Sequence, residues 1–122
     1  MKECLFCKIK EGIIPSNKVY EDDLVFVIMD INPTENGHLL VIPKQHFTDF
    51  KELDNDTLLH INKISKIMSE KIYSKLNANG VRLIVNYGAY QEVKHYHLHI
   101  IPSYETKQEI IDINEIYNIL KD

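Results

Sequence analysis

The stretch VKHYHLHIIP, residues 93–102, places histidines at alternate positions in a run that is otherwise largely apolar. In a β-strand, every second side chain projects from the same face. The pattern therefore predicts a strand that presents His95, His97 and His99 together on one face. The opposite face of this strand is apolar and packs on the core through Tyr96, Leu98 and Ile100. The plainer alternative, that the three histidines simply face water, fits less well because such faces usually carry Lys, Glu and Thr.

One metal ion cannot collect all three rings from a straight strand. At ~3.3 Å per residue the backbone positions of His95 and His99 stand ~13 Å apart, whereas a Zn–N bond is only ~2 Å long. We therefore expect the three rings to have different roles, with one in a structural site and two in catalysis. Imidazoles titrate near neutral pH, which suits nucleophilic and general acid–base catalysis.

A single long helix is predicted over Asn55–Leu76, because apolar residues recur there at three- and four-residue steps. This apolar stripe comprises Leu58, Ile61, Ile64, Met68, Ile72 and Leu76. The pair Asn79-Gly80 is predicted to close the helix with a left-handed cap.

Short strands are predicted on both sides of the long helix, and a short helix near each terminus. The predicted strands are Lys18–Glu21, Leu24–Ile31, His38–Pro43, Val81–Asn86 and Lys94–Tyr104. The predicted terminal helices are Cys4–Gly12 and Ile111–Leu120, and Gly88–Glu92 is predicted to be a loop. These elements define an α+β domain with a mostly antiparallel sheet. A chain of 122 residues is the usual size of one domain, so we expect residues 1–122 to form a single one.

The charge of the chain argues against a nucleic-acid partner. The net charge is −4 at pH 7, from 18 acidic and 14 basic residues, and the lysines are scattered, so no duplex-binding face is expected. A small anionic ligand remains compatible with this charge, because backbone N–H groups and histidines can hold a phosphate.

No apolar run reaches transmembrane length, and the N-terminal residues lack a secretory apolar region. We therefore expect no membrane partner, a cytoplasmic location and reduced thiols.

Cys4 and Cys7 form a C-x-x-C motif, which alone is compatible with a redox pair, half of a zinc site or two small core residues. A zinc site needs two further ligands, and His46 and His95 would complete a Cys2His2 set. The plainer interpretation of His46 is a partly exposed loop histidine. His60, on the long helix, has no partner in the sequence and is assigned no role.

Several motifs together resemble those of the histidine triad (HIT) superfamily, over roughly Cys4–Tyr104. They are the H-x-H-x-H run HYHLHII, the IPS turn, the VYEDD hairpin, the DINP loop, the strand GHLLVIPKQH and the strand GVRLIVN. The resemblance implies a HIT-like fold with a sheet of about five strands, and a homodimer joined through the long helix and a central strand. It also implies hydrolysis or transfer at the α-phosphate of a purine nucleotide, most nearly that of an adenosine 5′-phosphoramidase.

The resemblance assigns roles to individual residues. His97 is the nucleophile, which forms a covalent nucleotidyl-imidazole, and His99 contacts the phosphate and helps to protonate the leaving group. Asp30 holds the ribose hydroxyls, and Asn86 contacts oxygens on the phosphate side. His38 lies behind the active strand and is placed among the substrate-binding residues, as are Gln91 and Glu92 of the loop before the triad, on the phosphate side. The base pocket is lined by Leu5, Phe6, Ile9 and Ile28, each of which is equally compatible with a place in the core.

One branch of the superfamily carries zinc on two N-terminal cysteines, the histidine after V-I-P-K-x, and the first triad histidine. Cys4, Cys7, His46 and His95 occupy all four positions. The resemblance therefore implies a structural zinc ion.

The loop before the triad departs from the family pattern. Many members have a Gly-rich loop with Ser or Thr, whereas this chain has Tyr90 at the glycine position and Glu92 at the hydroxyl position; Gln91 retains an amide. A carboxylate beside a substrate phosphate is repulsive. We therefore expect Glu92 to disfavour polyphosphate substrates more than phosphoramidates.

Two alternative functions stay open: a dinucleoside polyphosphate hydrolase, and a nucleotide-binding or interaction protein with weak or no catalysis. A redox or metal-storage protein fits poorly, because the chain has no further cysteines.

Overall fold

The computed structural model describes residues 3–121, which form five strands and three α-helices. In chain order these are α1 Leu5–Lys10, β1 Lys18–Glu21, β2 Val25–Met29, β3 Leu39–Pro43, α2 Asn55–Leu76, β4 Gly80–Ile84, β5 Leu98–Ser103 and α3 Ile113–Leu120. A single 3₁₀ turn, Gly88–Tyr90, lies between β4 and β5. Within residues 3–121, no helix is both long and apolar enough to cross a membrane.

The strands form one antiparallel sheet in the order β1-β2-β3-β5-β4. Every residue of the two neighbouring strands β2 and β3 is buried. Burial on both faces explains why these strands read as continuous apolar runs rather than as alternating ones. The predicted α+β architecture with an antiparallel sheet of about five strands is confirmed.

The main core lies between one face of the sheet and helix α2. Ile61, Ile64 and Ile72 of the helix are at most 1% exposed and pack against the sheet. Burial of one such side chain contributes about 1.5–3 kcal/mol. Leu58, predicted in the same stripe, is instead 40% exposed. In this first turn the buried side chain is that of Thr57, and the Thr57 N–H donates to the N-cap carboxylate of Asp54.

The end of α2 differs from the prediction. Asn77, not Asn79-Gly80, adopts the left-handed conformation, with φ 59° and ψ 37°, and its N–H donates to the carbonyl of Tyr73. Asn is the residue other than Gly that most readily takes this conformation. Gly80 is already the first residue of β4, where an added Cβ would lie 2.8 Å from Oγ of Ser103.

The last strand is shorter than the predicted Lys94–Tyr104, because β5 begins at Leu98. Continuing the register Val41↔Leu98 would place Pro43 opposite Tyr96, and Pro43 has no N–H to donate. The Tyr96 N–H donates instead to the carbonyl of Phe47 at 2.7 Å. His95 and His97 therefore lie in a bent segment that leads into the strand, and only His99 is part of the ladder.

Candidate active site and metal centre

A cavity of about 500 Å³ lies on the side of the sheet that carries α1, a size suited to a small-molecule ligand. Apolar side chains from α1, β2 and β3 form much of its wall. The predicted substrate and catalytic residues that line it are Leu5, Phe6, Ile9, Ile28, Asp30, Asn86, Glu92, His97 and His99. His38 and Gln91, which were predicted with them, lie outside the lining.

Several lining residues were not predicted from the sequence, among them Ile14, Leu40 and Val93. Leu40 stands directly opposite Ile28 in the β2–β3 pair. Directly opposed residues share one face of a sheet. The register of this pair would therefore have identified Leu40 once Ile28 had been assigned.

The ring of His97 is held in one tautomer. Nδ1 lies 2.8 Å from the carbonyl oxygen of His95. A carbonyl only accepts, so Nδ1 carries the proton and Nε2 keeps its lone pair. Burial lowers the pKa of His97, and the hydrogen bond to the His95 carbonyl partly opposes this. At neutral pH the ring is therefore uncharged and has one nitrogen available as a nucleophile.

His99 is held in the opposite tautomer by His38. The Thr34 N–H donates to Nδ1 of His38 at 3.1 Å, so the proton of His38 is on Nε2. That nitrogen lies 2.9 Å from Nδ1 of His99, which must accept, and the proton of His99 is therefore on Nε2. Burial lowers the pKa of both His38 and His99, which favours these neutral forms.

Asp30 completes this hydrogen-bonded group. Its Oδ1 accepts the N–H of Asn32 at 2.9 Å, and its Oδ2 lies 3.4 Å from Nε2 of His38. Asp30, His38 and His99 lie close enough together to hold a metal ion. The bond from Thr34 argues against this, because it leaves Nε2 of His38 protonated and without a lone pair for a metal. Within this group, the hydrogen bond from His38 orients the ring of His99.

The loop before His95 is anchored by a buried glutamine. The side chain of Gln91 is 5% exposed, and its Nε2 donates to the carbonyls of Thr48 and Val93. Lys94 Nζ donates to the carbonyls of Gly88 and Gln91 within the same loop. These bonds fix the loop that carries Glu92 at the rim of the cavity.

A second cluster lies beside the cavity and consists of Cys4, Cys7, His46 and His95. One ligand atom from each lies within 4.8 Å of the others. Nδ1 of His95 is 3.3 Å from Sγ of Cys4 and 3.6 Å from Sγ of Cys7, and Nδ1 of His46 is 3.4 Å from Sγ of Cys7. Tetrahedral zinc with ordinary bond lengths holds S and N about 3.5 Å apart. These four residues could therefore hold a metal ion.

The protonation chemistry of this cluster also suits a cation. Nε2 of His95 lies 2.8 Å from the carbonyl oxygen of Pro43, so it carries the proton and Nδ1 presents its lone pair to the thiols. Burial lowers the pKa of His95 to about 4. Burial also raises the pKa of the Cys7 thiol, and the neighbouring Cys4 raises it further. A positive charge between the two sulfur atoms would offset both effects and favour the thiolate form that ligates metals. The two cysteines are not joined in a disulfide.

The local structure of α1 places both thiols. Cys4 is the N-cap residue of α1, and its Sγ accepts the N–H of Cys7 at 3.4 Å. One turn of helix therefore brings the two sulfur atoms to the same side. On the far side of the sheet, Nε2 of His60 lies 2.6 Å from Oδ2 of Asp22, a partner that the sequence did not reveal.

The fold and the site together define an α+β protein with a cluster of neutral histidines beside a Cys2His2 cluster. The HIT domain family matches residues 11–106. An uncharacterized HIT-like protein of Methanocaldococcus jannaschii is 43% identical over 118 residues, covering 95% of this chain and 91% of that protein. The adenosine 5′-monophosphoramidase hnt1 of Schizosaccharomyces pombe is 42% identical over 103 residues, covering 81% and 73%.

The structure of a Zn-bound histidine triad family protein from Mycobacterium smegmatis superimposes with a TM-score of 0.91 at 31% identity, covering 98% of this chain and 91% of that one. Because the family match and the sequence identity to the M. jannaschii protein each extend over most of the chain, the chain belongs to the HIT family.

Proposed function

We propose that the protein is a purine nucleotide hydrolase that acts at the α-phosphate, with an adenosine 5′-phosphoramidate as its substrate class. The observation that carries the proposal is the pair of complementary tautomers. His97 has a free lone pair on Nε2, and His99 has a proton on Nε2. Their ring centroids are 5.0 Å apart at the same cavity. A nucleophile and a proton donor are thus placed side by side.

The reaction has two halves. In the first, the lone pair of His97 Nε2 bonds to phosphorus while the P–N bond breaks. The departing nitrogen takes the electron pair of that bond and the Nε2 proton of His99. In the second half, water displaces the imidazole from phosphorus and returns a proton to His99. In total, the hydroxyl of one water molecule ends on phosphorus and its remaining proton on the amine.

The rest of the cavity fits a nucleoside monophosphate. The apolar wall from α1, β2 and β3 suits a flat base, the Asp30 carboxylate suits the ribose hydroxyls, and the Asn86 amide suits a phosphate oxygen. The activity in the name of the S. pombe relative supports the same substrate class. Incubation with adenosine 5′-phosphoramidate tests the proposal. Release of AMP and ammonia is expected, and intact substrate after prolonged incubation would refute it.

Replacing His38 with phenylalanine should lower kcat for the phosphoramidate by about 10- to 100-fold with little change in KM. Phenylalanine fills the space but cannot donate to Nδ1 of His99, so the proton on His99 Nε2 is no longer assured. Steady-state kinetics measure the effect. His60→Phe is the matched control, because His60 also contacts a carboxylate but lies on the other side of the sheet. Equal losses in the two variants would contradict a specific role for His38.

Replacing Glu92 with serine should raise kcat/KM for diadenosine polyphosphates about 10-fold more than that for the phosphoramidate, because removal of the carboxylate removes repulsion of the additional phosphates. Glu92 lines the cavity and is exposed. Kinetics on both substrates give the ratio, and Glu105→Ser is a control in an exposed position outside the lining. An unchanged ratio would refute this role of Glu92, and faster wild-type hydrolysis of the diadenosine polyphosphate than of the phosphoramidate would favour the alternative assignment as a dinucleoside polyphosphate hydrolase.

A second candidate function is nucleotide binding with weak or no catalysis. The placement of Glu92 at the cavity favours it, because a carboxylate in place of the family's hydroxyl cannot donate a hydrogen bond to the phosphate in the transition state. AMP binding without turnover of any nucleotide substrate would establish this candidate in place of the first.

The metal at the Cys2His2 cluster is proposed to be zinc, in a structural role. Two thiolates and two imidazoles in a closed, four-ligand arrangement are typical of structural zinc, and the Zn-bound relative supports the choice. A bound zinc ion would tie α1 to the segment before β5 and would take no part in the hydrolysis. The unpaired thiols also suit a reducing compartment such as the cytoplasm.

The protein is further proposed to be a homodimer joined through β4 and α2. In residues 3–121, β4 has a strand neighbour on one side only, and its Leu83 is 49% exposed. Leu59 and Tyr73 of α2 are 69% and 48% exposed. An unpaired strand edge and exposed apolar side chains are each typical of a pairing surface.

Leu83→Arg should convert the dimer to a monomer, because it places a charge in the middle of this surface. The molar mass in solution, measured by light scattering after size exclusion, should halve. Ile13→Arg changes another side chain, 70% exposed, and should leave the mass unchanged. A monomeric wild-type protein would refute the proposed dimer.

A further inference from the structure

We propose that the Cys2His2 cluster and the nucleotide cavity are energetically coupled, and that Phe6 and the backbone of His95 connect them. Metal in the cluster holds the nucleophile His97 in its reactive orientation, and a nucleotide in the cavity in turn tightens the binding of the metal. The coupling rests on the proposed function, since it requires the cavity beside His97 to bind a nucleotide.

His95 belongs to both sites. Its side chain presents Nδ1 to the thiols of Cys4 and Cys7 at 3.3 and 3.6 Å. Its carbonyl oxygen, 2.8 Å from Nδ1 of His97, sets the tautomer of the nucleophile. The residue is completely buried and lies in a bent segment outside the strand ladder. No strand ladder holds this segment, so its orientation depends on the Tyr96 N–H bond to the Phe47 carbonyl and on the ring contacts of His95.

Phe6 forms the second connection. It lies in α1 between the two cysteines and is 4% exposed. Its ring packs edge-on against both histidines, with centroid distances of 5.8 Å to His95 and 4.9 Å to His97. Phe6 also lines the cavity. One side chain thus contacts a metal-cluster residue, the nucleophile and the space for the ligand.

Helix α1 has only six residues, far fewer than an isolated helix needs to be stable in water. Its position therefore depends on what holds it, namely the small apolar cluster that includes Phe6 and Ile9, and the two cysteine ligands. A metal ion bound by Cys4 and Cys7 joins α1 to His46 and His95. Without the metal, the short helix and the Phe6 ring lose one of their two attachments.

Coupling between two sites is reciprocal, so each ligand changes the affinity of the other by the same factor. We expect AMP to bind the zinc-loaded protein about 10-fold more tightly than the metal-free protein, within the usual range of such couplings. Saturating AMP should lower the Kd for zinc, measured by competition with a chelator, by that same factor.

Phe6→Leu tests the connection without removing a metal ligand. This variant should still bind zinc, and AMP at a concentration that calorimetry shows to be saturating for it, but the Kd for zinc should no longer respond to AMP. Phe26→Leu removes the same number of atoms from the same apolar cluster, and among the described residues Phe26 makes no ring contact with either histidine. Phe26→Leu should therefore keep the roughly 10-fold response.

Titration calorimetry measures the Kd for AMP, chelator competition measures the Kd for zinc, and NMR of ¹⁵N-labelled histidine reports the tautomer of His97. The zinc-loaded protein should show His97 as a single Nδ1–H tautomer, and the metal-free protein should show exchange between tautomers. Equal AMP affinities with and without zinc, or an undiminished response in Phe6→Leu, would overturn the coupling alone. Failure of AMP to bind either form would refute the proposed function and the coupling together. If the metal-free protein unfolds, the NMR comparison is made on the zinc-loaded Phe6→Leu and Phe26→Leu proteins, where exchange between His97 tautomers is expected in Phe6→Leu only, and a single tautomer in both would overturn the role of Phe6.

Discussion

Replacing His97 with alanine should reduce phosphoramidate hydrolysis by about 10⁴-fold or more, because it removes the atom that attacks phosphorus. No other described side chain offers a free imidazole nitrogen with the same orientation. The Nε2 of His99 carries a proton in the network with His38, and the rings of His95 and His46 face the thiols of the metal cluster. The loss should therefore be in kcat, and AMP should still bind, because the base and ribose contacts remain.

His60→Ala serves as the control for the loss of a histidine, since its ring contacts Asp22 away from the cavity. This variant should retain the wild-type rate. A His97→Ala protein that is folded, binds AMP and hydrolyses the phosphoramidate at a rate within 10-fold of the wild type would contradict the assigned nucleophile.

Removal of the metal should produce the largest change in stability. With free zinc at 1,000 times its Kd, a single site that exists only in the folded protein adds about 4 kcal/mol to the free energy of unfolding. For a chain of this size, each kcal/mol corresponds to about 4 °C in Tm. A chelator should therefore lower the Tm of the zinc-loaded protein by roughly 15 °C, as measured by scanning calorimetry.

The double variant Cys4→Ala, Cys7→Ala supplies the control. It should bind no zinc, and its Tm should not respond to the chelator. Metal analysis of the purified proteins is the accompanying measurement. Stoichiometric zinc retained by the double variant would overturn the assigned ligands.

The strands and the long helix were predictable because their signals are local. The apolar runs gave β2 and β3, and the spacing of apolar residues gave the bounds of α2, Asn55–Leu76, as the structure has them. The residue that caps α2 was not predictable, because Asn77 and Asn79 are both capable of a left-handed conformation. The choice between them depends on where the chain must enter β4, which is a tertiary constraint.

The alternation of His95, His97 and His99 correctly indicated a shared side but not a common strand. The signal that would have shortened the strand was Pro43, whose missing N–H ends the ladder opposite Tyr96. The expectation that one ring of the three would be diverted to a separate site agrees with the position of His95 beside the two thiols.

The hydrogen bonds that give the histidines their tautomers could not be predicted from the sequence. His38 is 61 residues from His99 along the chain, and only the pairing of β3 with β5 brings Leu40 opposite His99 and so places these rings together. The same holds for Gln91, whose amide was expected near the phosphate and instead anchors its loop to Thr48. Such contacts depend on the completed fold.

In the proposed reaction the lone pair on Nε2 of His97 forms a covalent bond to the α-phosphorus of a nucleotide. Rapid acid-free quenching during turnover of an adenosine 5′-phosphoramidate, followed by mass spectrometry of the intact protein and its peptides, would detect this bond. We expect a transient adduct of one adenylyl group on the peptide that contains His97, absent from His97→Ala. Turnover without any adduct, and with inversion at an isotopically chiral phosphorus, would contradict this mechanism, because two successive displacements give retention.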